Sequence, residues 1–260
     1  MINFDNLDLS LGDYQARWRA AIPFKHLVID NFANTDALNS FLTELPDPHS
    51  QALNKSRDYF FAKNKYEKHE FKNLGRYSAE LYADLLSERF QSFLVKITGR
   101  DVWIDRDFHG GGIHQGGAGS YLDMHVDFNV HPLHNDWFRD LNILLYLNEG
   151  WDRKYGGELK LKHKINGSST LIEPVFNRCV IMETRDYTLH GYDSINFPIG
   201  QYRRSVACYA YSALRDGVKP HSTTWFPEGA GIAKRVIGAA WPTLVRIKSG
   251  IFGSGTSKNK

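Results

Sequence analysis

Residues 139–162 read RDLNILLYLNEGWDRKYGGELKLK. This stretch decides the fold class. Its first part, DLNILLYLN, is a strand-length apolar run, and its last part, GGELKLK, alternates apolar and charged residues. Between them Gly150, Asp152 and the Gly156–Gly157 pair interrupt any regular element. Working outward, the same pattern recurs. STLIEP (169–174), RCVIMET (178–184) and RRSVACYAYS (203–212) are each about a strand long and are set apart by turns. Many short strands with glycine turns, starting near Val102, point to a sandwich or jelly roll.

The preceding third reads differently. FKHLVIDNF (24–32) alternates through Phe24, Leu27 and Ile29 and predicts a strand. NTDALNSFLTELP (34–46) has a capping Asn34 or Thr35, an apolar stripe of Leu38, Phe41, Leu42 and Leu45, and Pro46 as its stop. SAELYADLLSERFQSFLVKITG (78–99) predicts one further helix, with Leu81, Leu85, Phe93 and Leu94 inward and Gly99 as its end. The expected class is α+β: a β core of double-stranded β-helix type, jelly roll or cupin-like, with N-terminal helices packed on it. The expected division is a leader arm at 1–22, a helix-rich part at 23–100, the core at 101–213 and an extension at 214–260.

Bulk properties narrow the class. The chain has 260 residues, 42% hydrophobic and 13% aromatic, enough for a sizeable core. A net charge of +3 is too mild to argue for nucleic acid. Cys179 and Cys208 lie in apolar runs and read as buried thiols. No stretch reaches the roughly 18 apolar residues of a membrane span, and the N-terminus lacks an apolar signal core. The cytoplasm is the expected location. The segment AGIAKRVIGAAWPTLVRIKSGIF reads as an amphipathic membrane contact or partner helix, or as a helix packed on the domain or in a dimer seam. Pro242 interrupts any long helix and favours the packed reading, so a homo-oligomer is allowed.

The chemistry concentrates in three places. YLDMHVDF carries His125 and Asp127, DYTLHGYD carries His190, and QYRRSVACYAYS carries Arg203. On a strand, residues two apart point to the same side, so His125 and Asp127 can bind one ion, with His190 supplied by another strand. Two imidazoles and one carboxylate form the ligand set of a non-haem Fe(II) site with open positions. Arg203, with Ser205 two residues on, is what such a site needs to hold an acidic co-substrate. The combination points to an oxygenase using O2 and 2-oxoglutarate. A zinc hydrolase shares the ligand types but has no need of the arginine. His131 and His134 are rival ligands, placed by Pro132 in a loop. The glycine-rich 109–119 and the segment 128–138 flank the ligands and are expected to rim the pocket.

The landmarks continue through Arg139, Tyr146-Leu147-Asn148, Trp151 and Gly156-Gly157-Glu158-Leu159, and IEPVFNR precedes His190. In this order they resemble the 2-oxoglutarate, Fe(II)-dependent dioxygenases of the prolyl-hydroxylase type, over roughly residues 100–213. The resemblance implies that His125, Asp127 and His190 bind iron. It implies that Arg203 pairs with the distal carboxylate of 2-oxoglutarate, with Ser205 beside it and Tyr146 donating its hydroxyl. Gln115 or His114 is the candidate for a further co-substrate contact. Strand alternation turns Arg204 away from Arg203, and a register slip of one residue would exchange them.

The resemblance further implies hydroxylation of a C–H bond in a prolyl, peptidyl or small amino-acid-like substrate, or desaturation, with release of succinate and CO2. Ascorbate is an allowed reductant. The alternatives are a non-catalytic binding module and a cupin-like metal protein that needs no 2-oxoglutarate.

Overall fold

The computed structural model describes residues 1–48, 50, 54–55 and 61–228. The basic segment from Ala230 onward lies outside the described residues. The helices are α1 (Phe4–Leu9), α2 (Leu11–Ala20), α3 (Thr35–Glu44), α4 (Arg76–Leu85) and α5 (Glu88–Thr98). The strands are β1 (His26–Ile29), β2 (Asn54–Lys55), β3 (Ala62–Lys68), β4 (Trp103–Ile104), β5 (Gly112–Val126) and β6 (Trp137–Tyr146). They continue as β7 (Leu159–His163), β8 (Ser169–Ile172), β9 (Arg178–Glu183), β10 (Thr188–Tyr192), β11 (Arg203–Ala213) and β12 (Thr224–Trp225).

The strands form one curled antiparallel sheet in the order β1-β9-β6-β11-β5-β10-β7-β8, with β3 and β12 also on β5 and β4 on β11. This is the half-barrel of a double-stranded β-helix, with the helices on its outside. β5 organises it. Its first half pairs with β11 on one side and β3 on the other, and its second half pairs with β10 and β12.

Alternation along the strands separates two interiors. Leu141, Ile143 and Leu145 of β6 and Val206, Cys208 and Ala210 of β11 join the helices in the main core. Asn142, Leu144, Tyr146, Arg203, Ser205 and Tyr209 point the other way, into a cavity. Both faces of β6 are therefore covered, which is why its sequence is a nearly unbroken apolar run.

Three expectations need correction. Residues 1–22 are no leader arm: α1 and α2 bury Leu7, Tyr14 and Trp18 in the main core, and Tyr14 meets Phe93 edge-on at 6.2 Å. The single helix over 78–99 is two. Ser87 adopts an extended backbone and its side chain accepts from the Phe90 amide, starting α5 afresh. Finally, 109–119 is mostly strand rather than loop. Gly112 sits at φ +85°, and a Cβ there would fall 2.1 Å from the Lys68 carbonyl, so the glycine lets β3 close on β5.

Candidate active site

His125 lies near the end of β5, and Asp127 follows it by one turn of the pleat. His190 on β10 is the direct cross-strand partner of His125. Pairing therefore sets the two imidazoles side by side, with ring centres 4.1 Å apart. His125 Nε2 is 3.5 Å from Asp127 Oδ1, and His190 Nε2 is 3.4 Å from Asp127 Oδ2. One ligand atom from each residue lies within 4.8 Å of the others.

The surroundings suit a divalent cation. His125 Nδ1 donates to the Asp123 carbonyl at 2.9 Å, which leaves the Nε2 lone pair facing Asp127. Burial lowers the His190 pKa to about 3, assisted by His125, so its imidazole is neutral. Burial alone would raise the Asp127 pKa, but Arg139, His190 and His125 outweigh it and hold the carboxyl well below the usual range. Asn142 Nδ2 donates to Asp127 Oδ2 at 2.7 Å, and Arg139 Nη2 is 3.4 Å from the same oxygen. Arg139 in turn donates through Nε to Asn142 Oδ1 at 3.0 Å and lies 3.5 Å over the Tyr209 ring. A neutral imidazole at His190 and an ionised, fixed carboxylate at Asp127 are protonation states that metal binding requires.

The trio opens into a cavity of about 190 Å³. Arg203, Tyr146 and Ser205 line it together. Arg203 Nε donates to the Gly157 carbonyl at 2.7 Å, and its Nη2 donates to the Tyr146 hydroxyl at 3.3 Å. Gly157, at φ +85°, leaves the space that the Arg203 side chain crosses. Ser205 pairs with Tyr146 on one side and His114 on the other, so the three share a rung, and His114 also faces the cavity.

The neighbours of these residues point elsewhere. Arg204 donates through Nε to Gln115 Oε1 at 2.8 Å, and Gln115 Nε2 donates to the Pro46 carbonyl at 3.0 Å. Gln115 is thus turned away from the cavity, and of the two candidates only His114 borders it. The register is the unslipped one, with Arg203 inward.

His131 and His134 do not join the trio. They pack with His109, Trp137 and Tyr211, and His131 Nε2 is 3.4 Å from Asp105. No residue of 128–138 borders the cavity, because that segment turns back along β6. The wall is made instead by Lys65 of β3 and by Thr223 and Trp225. Trp225 stacks on Phe61 at 5.0 Å and lies 4.8 Å from His125. Neither wall was expected from sequence.

Residues 111–211 match the model of the 2OG-Fe(II) oxygenase superfamily. The match spans the trio, Arg203 and everything between. Over this stretch the chain carries a 2OG-Fe(II) oxygenase domain.

No curated protein sequence matches this chain. Its fold is that of solved prolyl hydroxylases. A Trichoplax adhaerens prolyl hydroxylase, solved with a hypoxia inducible factor peptide fragment, superposes with a TM-score of 0.60 at 15% identity, covering 80% of this chain and 91% of that one. A Pseudomonas putida prolyl-4-hydroxylase gives 0.57 at 16% identity, covering 78% and 99%. A Phytophthora capsici prolyl 4-hydroxylase gives 0.58 at 16% identity, covering 97% and 80%. At these identities the likeness concerns the fold. Among the described residues, no helix is long and apolar enough to cross a membrane.

Proposed function

We propose that this 2OG-Fe(II) oxygenase hydroxylates an unactivated C–H bond of a prolyl, peptidyl or small amino-acid-like substrate, converting 2-oxoglutarate and O2 to succinate and CO2. The observation that carries the reading is that the trio and the Arg203–Tyr146 pair face one shared cavity. His125, Asp127 and His190 would hold Fe(II). Bound there, iron supplies the oxygen activation that no side chain can.

The protein's own contribution is placement and charge. Arg203 offers a non-titrating cation that matches a carboxylate, and the Gly157 carbonyl fixes its direction. The Tyr146 hydroxyl stands beside it to donate to the same carboxylate. Burial raises the Tyr146 pKa, so it remains a donor. Ser205 adds a second hydroxyl on that rung. Leu122, Leu144 and Leu159 give the cavity apolar wall that excludes water from the reacting end. Asn142 and Arg139 hold the Asp127 carboxylate in one orientation.

The test is incubation with Fe(II), 2-oxoglutarate, isotopically labelled O2 and a panel of prolyl peptides and free amino acids. Succinate formation coupled to uptake of one labelled oxygen atom by a panel member is expected. Metal uptake with 2-oxoglutarate left intact would favour a cupin-like protein instead.

A further inference from the structure

Lys65 lines the cavity while paired with Glu67, and no role assigned above uses the pair. β3 pairs antiparallel with β5, setting Lys65 opposite Gly116 and Glu67 opposite His114. Lys65, Gly116 and His114 all line the cavity. Being two apart on a strand, Lys65 and Glu67 share a face. Lys65 Nζ is 2.7 Å from Glu67 Oε1, with side chains only 17% and 23% exposed.

The rung extends further. Gly116 pairs on its other side with Arg203. Lys65, Gly116 and Arg203 therefore run across three neighbouring strands, with a residue lacking a side chain between two cations. Strand spacing of about 4.8 Å separates the two cationic positions by roughly 10 Å of backbone. Arg203 is tied to the β7 side through Gly157, whereas Lys65 enters from the opposite edge of β5.

The pair is charged in place. Burial would raise the Glu67 pKa, but Lys65 and then His114 outweigh it and bring it down to about 2. Burial would discharge Lys65, but Glu67 outweighs it and holds the ammonium well above its ordinary value. A cation kept in a small cavity beside a metal site is costly to desolvate and is repaid when an anion meets it. An ammonium carries three donors, and a ligand carboxylate is a strong acceptor for such a group.

We propose that Lys65, oriented by Glu67, is the substrate anchor of this cavity and receives the free carboxylate of a small amino-acid-like molecule. The proposal rests on the reading of Arg203 as the partner of 2-oxoglutarate. With that carboxylate assigned to Arg203, the second cation selects a second acid. An internal residue of a peptide has no free carboxylate to offer. The walls formed by Lys65, Thr223 and Trp225 also favour a compact ligand over an extended strand.

The experiment uses the full chain with Mn(II) and 2-oxoglutarate, with the free L-amino acids, their C-terminal amides and a blocked prolyl tripeptide as probes. Binding is read by tryptophan fluorescence and by the thermal shift. Separately, the KM for 2-oxoglutarate is read from Fe(II)-dependent succinate formation. At least one free acid should bind, and its amide should bind roughly tenfold or more weakly. Lys65→Met should weaken the acid by a similar factor, leave its amide unchanged, and leave the 2-oxoglutarate KM within about twofold. Lys65→Arg should recover part of the acid preference. A matching melting temperature shows that each variant is folded, and a variant that melts early is replaced by Lys65→Gln.

The proposal is overturned if no free acid binds, if amide or tripeptide binds as well as acid, or if Lys65→Met raises the 2-oxoglutarate KM while acid binding is kept. Wild-type protein that makes no succinate with any probe fails the oxygenase reading itself. Intact succinate formation with an acid indifferent to Lys65 fails only the anchor.

Discussion

Arg203 and Arg204 are adjacent in sequence and face opposite interiors. Arg203 lies in the cavity against Tyr146, while Arg204 reaches Gln115 on the helix side of the sheet. Removing a charged partner from a desolvated carboxylate costs about 2–5 kcal/mol. Arg203→Ala should therefore raise the KM for 2-oxoglutarate by tens-fold or more and leave Fe(II) affinity nearly unchanged. Arg204→Ala should shift that KM little, since its loss is a hydrogen bond to Gln115. A 2-oxoglutarate titration of succinate formation for both variants checks this, and a crippled Arg204→Ala would reverse the assignment. At this scale the trio and Arg203 were legible, because H-x-D spacing and strand alternation speak directly about side-chain direction. Lys65 was not. Its segment AKNKYEK has charge on the inward face, so it shows no apolar alternation and reads as a solvated stretch. Gln115 was misplaced for the opposite reason, since glycines on both sides hid the strand that turns it outward.

Among the elements, β6 carries a buried charge network. Its Asp140 is buried and accepts from Arg100 Nη1 at 2.6 Å, Arg185 Nη2 at 3.0 Å and Ser212 Oγ at 2.9 Å. Those bonds tie the end of α5 and the turn before β10 to the central strands. Burial would raise the Asp140 pKa, but Arg185 and Arg100 outweigh it and lower it. With the folded value depressed, its stabilisation is present above the ordinary carboxylate pKa and is lost as pH falls through the lower folded value. Asp140→Asn should destabilise at neutral pH, at the low end of the about 3–5 kcal/mol expected for breaking a buried pair, because both arginines keep some solvent contact. Once the pH falls below that folded value the two proteins should converge. Urea unfolding at neutral and acid pH measures this, and an equal gap at both would remove Asp140 as the titrating group.

The elements also show where sequence reading loses resolution. The α4–α5 break at Ser87 is a single cap inside a continuous apolar period, and periodicity does not register it. The two-residue strand β12 owes its existence to β5, not to its own pattern.

For the whole molecule, the division into a helix-covered face and a cavity face follows from alternation along β6 and β11. β6 and β11 read as apolar runs because both of their faces are covered, so that alternation was hidden in the sequence, whereas the order helices first, strands after was visible. What covers the cavity was not, because Lys65, Thr223 and Trp225 come from segments far from the trio in sequence and meet it through the pairing of β3 and β12 with β5. The N-terminal helices belong to this same body, since Leu7, Tyr14 and Trp18 share the core with Ile143 and Cys208. The central claim is that one metal held by His125, Asp127 and His190 works on 2-oxoglutarate bound at Arg203. It is tested most directly by measuring Fe(II)-dependent succinate formation for wild type, His125→Ala and His190→Ala at matched melting temperature. Wild type should form succinate only with Fe(II), and both variants should lose it, because two remaining ligands hold Fe(II) poorly. Near-normal succinate formation by either folded variant would contradict the site.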